Sequence, residues 1–324
     1  MASKLAALLI ALAWVGITHA EADPLAHDDA LQILEQISTA AKSLNYSGTF
    51  VYQHGERVET SHIVHFVDTD GEHEKLETLD GPRREIIRNN DEVLCFYPDA
   101  KVVRSQKRML QRSFPALLPE QLGSIAEFYT VRKGREMRIA GYDSQAVILE
   151  PKDGLRYGHK LWADSGSGLL LKALTLDEAH QVVEQFSFTQ LDIGSGVTRD
   201  MVTPSYQITS PEWRMVRFGP PMISESDTGW TIHDFPPGFR KILQMQRTRQ
   251  GGRVVVEHMV YSDGMAAVSV FIESMPKRVV QEGLAQQGAI NIYRRVVGNK
   301  LVTVLGETPA ATVIRIGNSV SFQK

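Results

Sequence analysis

Cysteine is nearly absent from this chain: Cys95, within EVLCFYPD, is the single one in 324 residues. One thiol excludes an internal disulfide, so the domains must stand on packing alone. Among apolar neighbours it is expected to behave as a small buried hydrophobe. Long apolar runs are as scarce. Beyond residue 22 no stretch reaches the roughly 20 apolar residues that a membrane-spanning helix needs. The N-terminal MASKLAALLIALAWVGITHAEAD joins Lys4, an apolar run from Leu5 to Ile17, and small residues at Ala20 and Ala22. That is the pattern of a secretory signal peptide over residues 1–22, which predicts an exported, soluble mature chain.

Signatures of catalysis are missing too. The chain has no G-x-S-x-G, H-E-x-x-H, P-loop or Rossmann glycine fingerprint. His62 and His65 stand three apart in a β-like run, so their side chains point to opposite faces and cannot easily share a metal. The GSG triplets at 166–168 and 194–196 follow β runs and read as turns rather than phosphate loops. The expectation is a protein that is no enzyme, with no cofactor, no metal and no nucleic-acid partner.

What is present is β structure, hairpin after hairpin. HDDALQILEQISTAAKSLNY is the main exception: Leu31, Leu34, Ile37, Ala41 and Leu44 recur at helical steps, and Asp28 and Asp29 suit a helix N-terminus. The period then switches to two in GTFVYQ, TSHIVHFV, REIIR, EVLCFYP, KVVRS, EMRIAG, QAVILEP, YGHKLWA, LLLKALTLD and HQVVEQFSFTQLD. Asp70-Gly71, Asp80-Gly81, Asp153-Gly154 and the DSGSG from Asp164 punctuate them. PEQLGSIAEFY is expected to be a helix that begins at Pro119. The pattern lapses at residues 201–212, read as a linker with Pro204 and Pro211. Beyond it WRMVRF, FRKILQMQRTR, RVVVEHMVY, MAAVSVFIE, AINIYRRVV and KLVTVLGE read as strands of a second domain over 213–318. A short helix follows Thr308-Pro309. Strands in hairpin order with few helices predict an α+β chain: a curved antiparallel sheet with helices on one face over 23–200, then a smaller sheet domain.

Charge separates the halves. Residues 23–210 carry 20 Lys and Arg against 28 Asp and Glu, whereas 211–324 carry 14 against 9. Within the acidic half, Lys101, Arg104, Lys107, Arg108 and Arg112 form a basic run without an acid between them. It is either a solvated loop or a site for an anionic group. A basic second half suits an acidic peptide, with Arg214, Arg217, Arg240, Arg247, Arg249, Arg294 and Arg295 as candidate contacts.

LNYSGTFVYQHG after an amphipathic helix, KLWADSGSGLLLKALTLD in the middle and VYSDGMAAVSVFIE in the second half resemble the RseB/MucB family of sigma-E regulatory proteins. EVLCFYPDAKVV and LPEQLGSIAEFY belong to the same likeness, which covers about residues 23 to 318. The resemblance implies an N-terminal unclosed β-barrel of the LolA/LolB lipoprotein-carrier type with helices, and a smaller C-terminal antiparallel sheet with a helix. It further implies a periplasmic protein that binds the periplasmic part of a membrane-spanning anti-sigma factor and shields it from site-1 proteolysis. Lipid or lipopolysaccharide would release it, and in pseudomonads such a protein would restrain alginate production. A homo-oligomer stays open. The other function weighed is a periplasmic carrier of lipids or lipoproteins, a fold type that lacks the YSDGMAAVSVFIE unit. In a half-barrel, Phe50 with Tyr52, Val64 with Phe66, Leu94 with Phe96, and Leu161 would line an apolar hollow sized for acyl chains. The alternative for each is plain core beneath the helices.

Overall fold

The computed structural model describes residues 27–107, 114–119, 122, 125–208, 212–217, 222–223, 229–248, 255–276 and 280–322. The signal-peptide segment 1–22, Arg108, Arg112 and Arg249 lie outside them, as does the side chain of Arg247.

The N-terminal part opens with α1 (His27–Ser43) and continues through β1 (Tyr46–His54), β2 (Arg57–Asp68), β3 (Gly71–Thr78), β4 (Glu85–Asn89), β5 (Glu92–Tyr97) and β6 (Val102–Lys107). After α2 (Ile125–Phe128) come β7 (Tyr129–Lys133), β8 (Met137–Ile139), β9 (Tyr142–Pro151), β10 (Gly158–Asp164), β11 (Leu170–Leu176) and β12 (Val182–Ile193). Most strands pair with their neighbour in the chain through a short turn, and β1 pairs with β12 to join the two meanders into one sheet. The path ends at β7 on one side and never returns to the β6 side, so the sheet curls without closing. α1 lies on the concave face. Leu34, Ile37 and Ala41 of the predicted stripe are buried in one core with Phe50, Leu149, Leu161 and Leu170, Leu31 and Leu44 pack partly buried against it, and Ala40 joins them. Burying each such Leu or Ile side chain contributes about 1.5–3 kcal/mol.

Two expectations needed correction. Of the helix expected from Pro119, the described residues contain a single turn at Ile125–Phe128. From Tyr129 the chain is already β7, because Tyr129 and Val131 alternate into the core and pair with Pro151 and Leu149 of β9. The run WRMVRF does not open the second domain. Its β13 (Arg214–Arg217) adds in parallel to β6, so the large sheet gains its outermost strand from beyond the expected linker. Trp213 anchors this return. Its ring packs edge-on against buried Phe96 at 6.1 Å and lies 5.7 Å from Tyr206, with the Lys101 ammonium over its face.

The second sheet comprises β14 (Met222–Ile223), β16 (Arg240–Thr248), β17 (Val255–Ser262), β18 (Ala267–Ser274), β19 (Gly283–Gln287), β20 (Ile290–Val297) and β21 (Lys300–Gly306). β15 (Trp230–Ile232) pairs separately with the last strand, β22 (Val320–Phe322). α3 (Ala310–Ser319) packs Val313 and Ile316 on Val268, Val270, Val302 and Val304. Its first turn follows Pro309 as predicted, but Thr308 is buried at the joint with the first domain and does not cap the helix by its side chain. Among the described residues no helix is long and apolar enough to cross a membrane.

Candidate functional site at the domain joint and the open sheet edge

The seven residues expected to share one hollow occupy three separate clusters. Phe50 and Leu161 are buried in the main core, where Phe50 meets Phe114 at 5.2 Å, Phe188 at 6.0 Å and Phe186 at 6.2 Å. Phe114 stacks on Phe186 at 5.3 Å, so the segment before α2 fills the space above β1. Tyr52 shares that face, stacked on Phe186 at 4.4 Å. Val64 and Phe66 share a face with each other, yet it is the opposite one, covered by Val197 and Val202. Leu94 and Phe96 lie under Tyr206, Ile208 and Trp213 of the returning linker. The period-2 rule correctly paired the residues within each strand; it could not tell which face each pair would take. The same rule held for the histidines. His65 stacks on Tyr46 with Nδ1 2.8 Å from the Leu44 carbonyl, while His62 faces Ser47 and Thr49 on the other side.

The basic candidates regroup as well. Arg104 lies opposite Cys95 on one side and Val216 on the other. Pairing therefore aligns Ile63, Leu76, Ile86, Cys95, Arg104 and Val216 in one row across six strands. Ile63 belongs to the main core, so this row extends the concave face outward to the sheet edge. Beside it, Tyr97 aligns with Val102 and Val102 with Arg214, and the Arg104 guanidinium sits 4.9 Å from the Tyr97 ring. The result is a strip of half-buried apolar side chains rimmed by exposed Arg84, Arg104 and Arg214. Burial raises the Cys95 thiol pKa, and the charges of Arg84, Arg104 and Arg88 oppose that rise. Lys101 and Lys107 have the opposite parity, and Lys101 covers Trp213. Arg217 is exposed on β13. In the second domain Arg240 is exposed at the start of β16, and Arg294 pairs across to Gly283 and Thr303. Arg295 donates to the Asn318 carbonyl at 3.0 Å and so caps the C-terminus of α3. The five candidate arginines whose side chains are described form no single patch: Arg214 and Arg217 lie on the large sheet, and Arg240, Arg294 and Arg295 on the second.

Sequence reasoning missed the joint between the domains. Arg156, between β9 and β10, is only 1 % exposed. Its Nε donates to Asp263 Oδ2 at 2.6 Å, and its other nitrogens donate to the Asp153 carboxylate and the Pro237 carbonyl. The guanidinium lies 4.5 Å over the Phe128 ring and 5.3 Å over that of Phe239. Asp263 is the aspartate of YSDG. Its Oδ1 accepts from the Met265 and Ala266 amides at 2.9 and 2.8 Å, closing the β17–β18 turn, while Oδ2 grips the other domain. Residues on either side of Arg156 also reach across. Thr312 Oγ1 donates to the Leu155 carbonyl at 2.7 Å, and Asn291 Nδ2 donates to the Tyr157 hydroxyl at 2.9 Å. Burial and then the Glu178 charge push the Tyr157 phenol up to about 12, so it stays un-ionised. Gly238 completes the joint in the left-handed region at φ +84°, where a Cβ would lie 2.3 Å from the Phe128 ring. Only glycine lets the backbone come that close.

Comparison with known proteins gives this geometry a family. The model of the MucB/RseB N-terminal domain matches residues 29–206, and that of the MucB/RseB C-terminal domain matches 224–321. The sigma factor AlgU regulatory protein MucB of Pseudomonas aeruginosa is 32% identical over 299 residues, 90% of each chain. The sigma-E factor regulatory protein RseB of Haemophilus influenzae is 26% identical over 300 residues, 91% of each. The structure also superposes on MucB in the complex structure of Pseudomonas aeruginosa MucA/MucB with a TM-score of 0.73, at 28% identity, covering 91% of this chain and 99% of that one. Two matched domain models, relatives aligned nearly end to end and a shared two-domain fold lead to one conclusion: the chain belongs to the MucB/RseB family.

Proposed function

We propose that this chain is a periplasmic, non-catalytic negative regulator of a sigma-E-type envelope stress response. It binds the periplasmic part of a membrane-spanning anti-sigma factor, shields it from site-1 proteolysis, and lets go when a lipid or lipopolysaccharide signal arrives. The observation that carries the reading is the second domain locked to the first through Asp263 and Arg156. A carrier of acyl chains needs only the curved sheet; a rigid two-domain body offers a continuous surface for an extended partner. The relative solved with MucA has the same two domains over 91% of this chain.

Support for the lipid arm is the strip along the open sheet edge. Half-buried Ile86, Tyr97 and Val102 offer apolar surface, and Arg84, Arg104 and Arg214 offer planar donors suited to phosphate. In the test, the anti-sigma segment is exposed to its site-1 protease with and without the protein, and then with added lipopolysaccharide. The reading predicts an intact segment with the protein present and renewed cleavage once lipid is added. A segment cut at the same rate with and without the protein would overturn it.

A further inference from the structure

The returning chain is fixed to the large sheet in two unequal parts. Up to Trp213 it is anchored by side chains. The Ser205 amide donates to the buried Glu85 carboxylate at 3.0 Å, and Tyr206, Ile208 and Trp213 pack on Phe96. Beyond Trp213 comes β13, four residues long, with Arg214, Met215 and Arg217 exposed and Val216 half-buried. Backbone pairing in parallel to β6 is its main hold. Charge works against that pairing. Arg214 aligns with Val102 and Val216 with Arg104, so Arg104 and Arg214 are diagonal neighbours on the concave face. Arg217 aligns with Ser105, which sets Lys107 diagonal to it on the opposite face. Like charges so placed across neighbouring strands weaken their pairing. Among the described residues no carboxylate forms an ion pair with Arg104, Lys107, Arg214 or Arg217, although Glu92 aligns with Lys107 from the far side of β6.

We propose that β13 is an anion-fastened strand: a phosphate group gripped between Arg104 and Arg214 docks it on β6, and loss of the anion frees it as far back as Trp213. A phosphate so placed replaces repulsion with charge-assisted bonds to both guanidinium groups. It binds the docked strand only, because detachment carries Arg214 away from Arg104, and whatever binds one state alone stabilises that state. Half-buried Tyr97, Val102 and Val216 lie beside the two arginines, so the fitting ligand carries its phosphate on an apolar body. Docking also decides where the chain leaves the large sheet. With β13 docked, residues 218–221 alone lie between it and β14 of the second sheet; with β13 free, residues 214–221 do. The anion therefore shortens the tether between the sheets from eight residues to four. This deepens the lipid arm of the regulator reading and rests on it, adding a route by which lipid at the sheet edge acts on the connection to the second domain.

The test is hydrogen–deuterium exchange of the full mature chain, read on peptides covering 213–217, with lipopolysaccharide, with inorganic phosphate and with neither. Local opening of the strand sets the exchange rate of its amides. The expected result is fast exchange over 214–217 in the free chain and slow exchange once lipopolysaccharide is bound, with β4 and β5 unchanged. Equal slowing by inorganic phosphate would support the switch and assign it to phosphate without the apolar body. Arg104→Gln, at an exposed position, should exchange about two- to fivefold more slowly than the parent without ligand, since one repelling charge is gone. Raising the salt concentration should slow the parent in the same sense, by screening. A parent chain that binds lipopolysaccharide by calorimetry, yet exchanges over 213–217 as before, would overturn the inference and leave the regulator reading standing. So would an Arg104→Gln chain that exchanges as fast as the parent. Absence of lipopolysaccharide binding would overturn the inference together with the lipid arm of that reading.

Discussion

Asp263 holds two structures at once, a turn and a joint, with one oxygen for each. A buried ion pair adds little net stability, because desolvation offsets attraction, but removing one partner strands the other in a dry site. Asp263→Ala should therefore destabilise the protein by about 3–5 kcal/mol, read by urea denaturation, and more than a turn aspartate alone would account for. A loss near the roughly 0.5–2 kcal/mol of a simple cap would show that Arg156 finds other partners. In the sequence this aspartate stands only within the YSDG of the motif that carries the family resemblance, and Gly264 at φ +107° shows it at a turn. Its partner was not legible, because Arg156 lies 107 residues away and no local pattern links the two.

At the scale of the element, β1 was the most readable strand. Its period set Phe50 and Tyr52 on one face, and both touch Phe186. What covers that face was not readable, since alternation fixes a side chain's direction and not the chain that meets it. Phe114 comes from a segment with no strong period, and it makes Phe50 core. Phe50→Ala is expected to cost about 3–5 kcal/mol in equilibrium unfolding. A cost under about 1 kcal/mol with acyl-chain uptake lost would return Phe50 to an open hollow. β13 teaches a related lesson. WRMVRF has a strand's pattern, but a four-residue strand does not announce its sheet, and the Trp213 contacts with Phe96 and Tyr206 decided it. That choice also united Arg104 and Arg214, which are 110 positions apart and were expected to serve different ligands.

At the scale of the whole molecule, the acidic first half carries a basic edge, and the two domains share one joint. A charge-assisted bond to phosphate is worth about 1.5–3 kcal/mol, so Arg104→Ala and Arg214→Ala should each weaken binding of lipopolysaccharide by about tenfold or more. Peptide binding measured without lipid should stay close to that of the parent chain. Equal lipid affinity in parent and variants would remove the edge strip from the account. The number of domains, the switch from helix to hairpins and the family resemblance were all legible in the amino-acid sequence, because each is written in local periodicity and contiguous motifs. The joint and the edge strip were not, because each is made by residues that meet only after the chain has folded.

The central claim is that the molecule grips an anti-sigma segment and yields it to lipid. Calorimetric titration of the mature protein with the periplasmic segment of an anti-sigma factor, at rising lipopolysaccharide concentrations, addresses it most directly. The account predicts saturable binding that weakens steadily as lipid rises. Absence of binding to the segment, with acyl chains still taken up, would contradict it and point to a carrier.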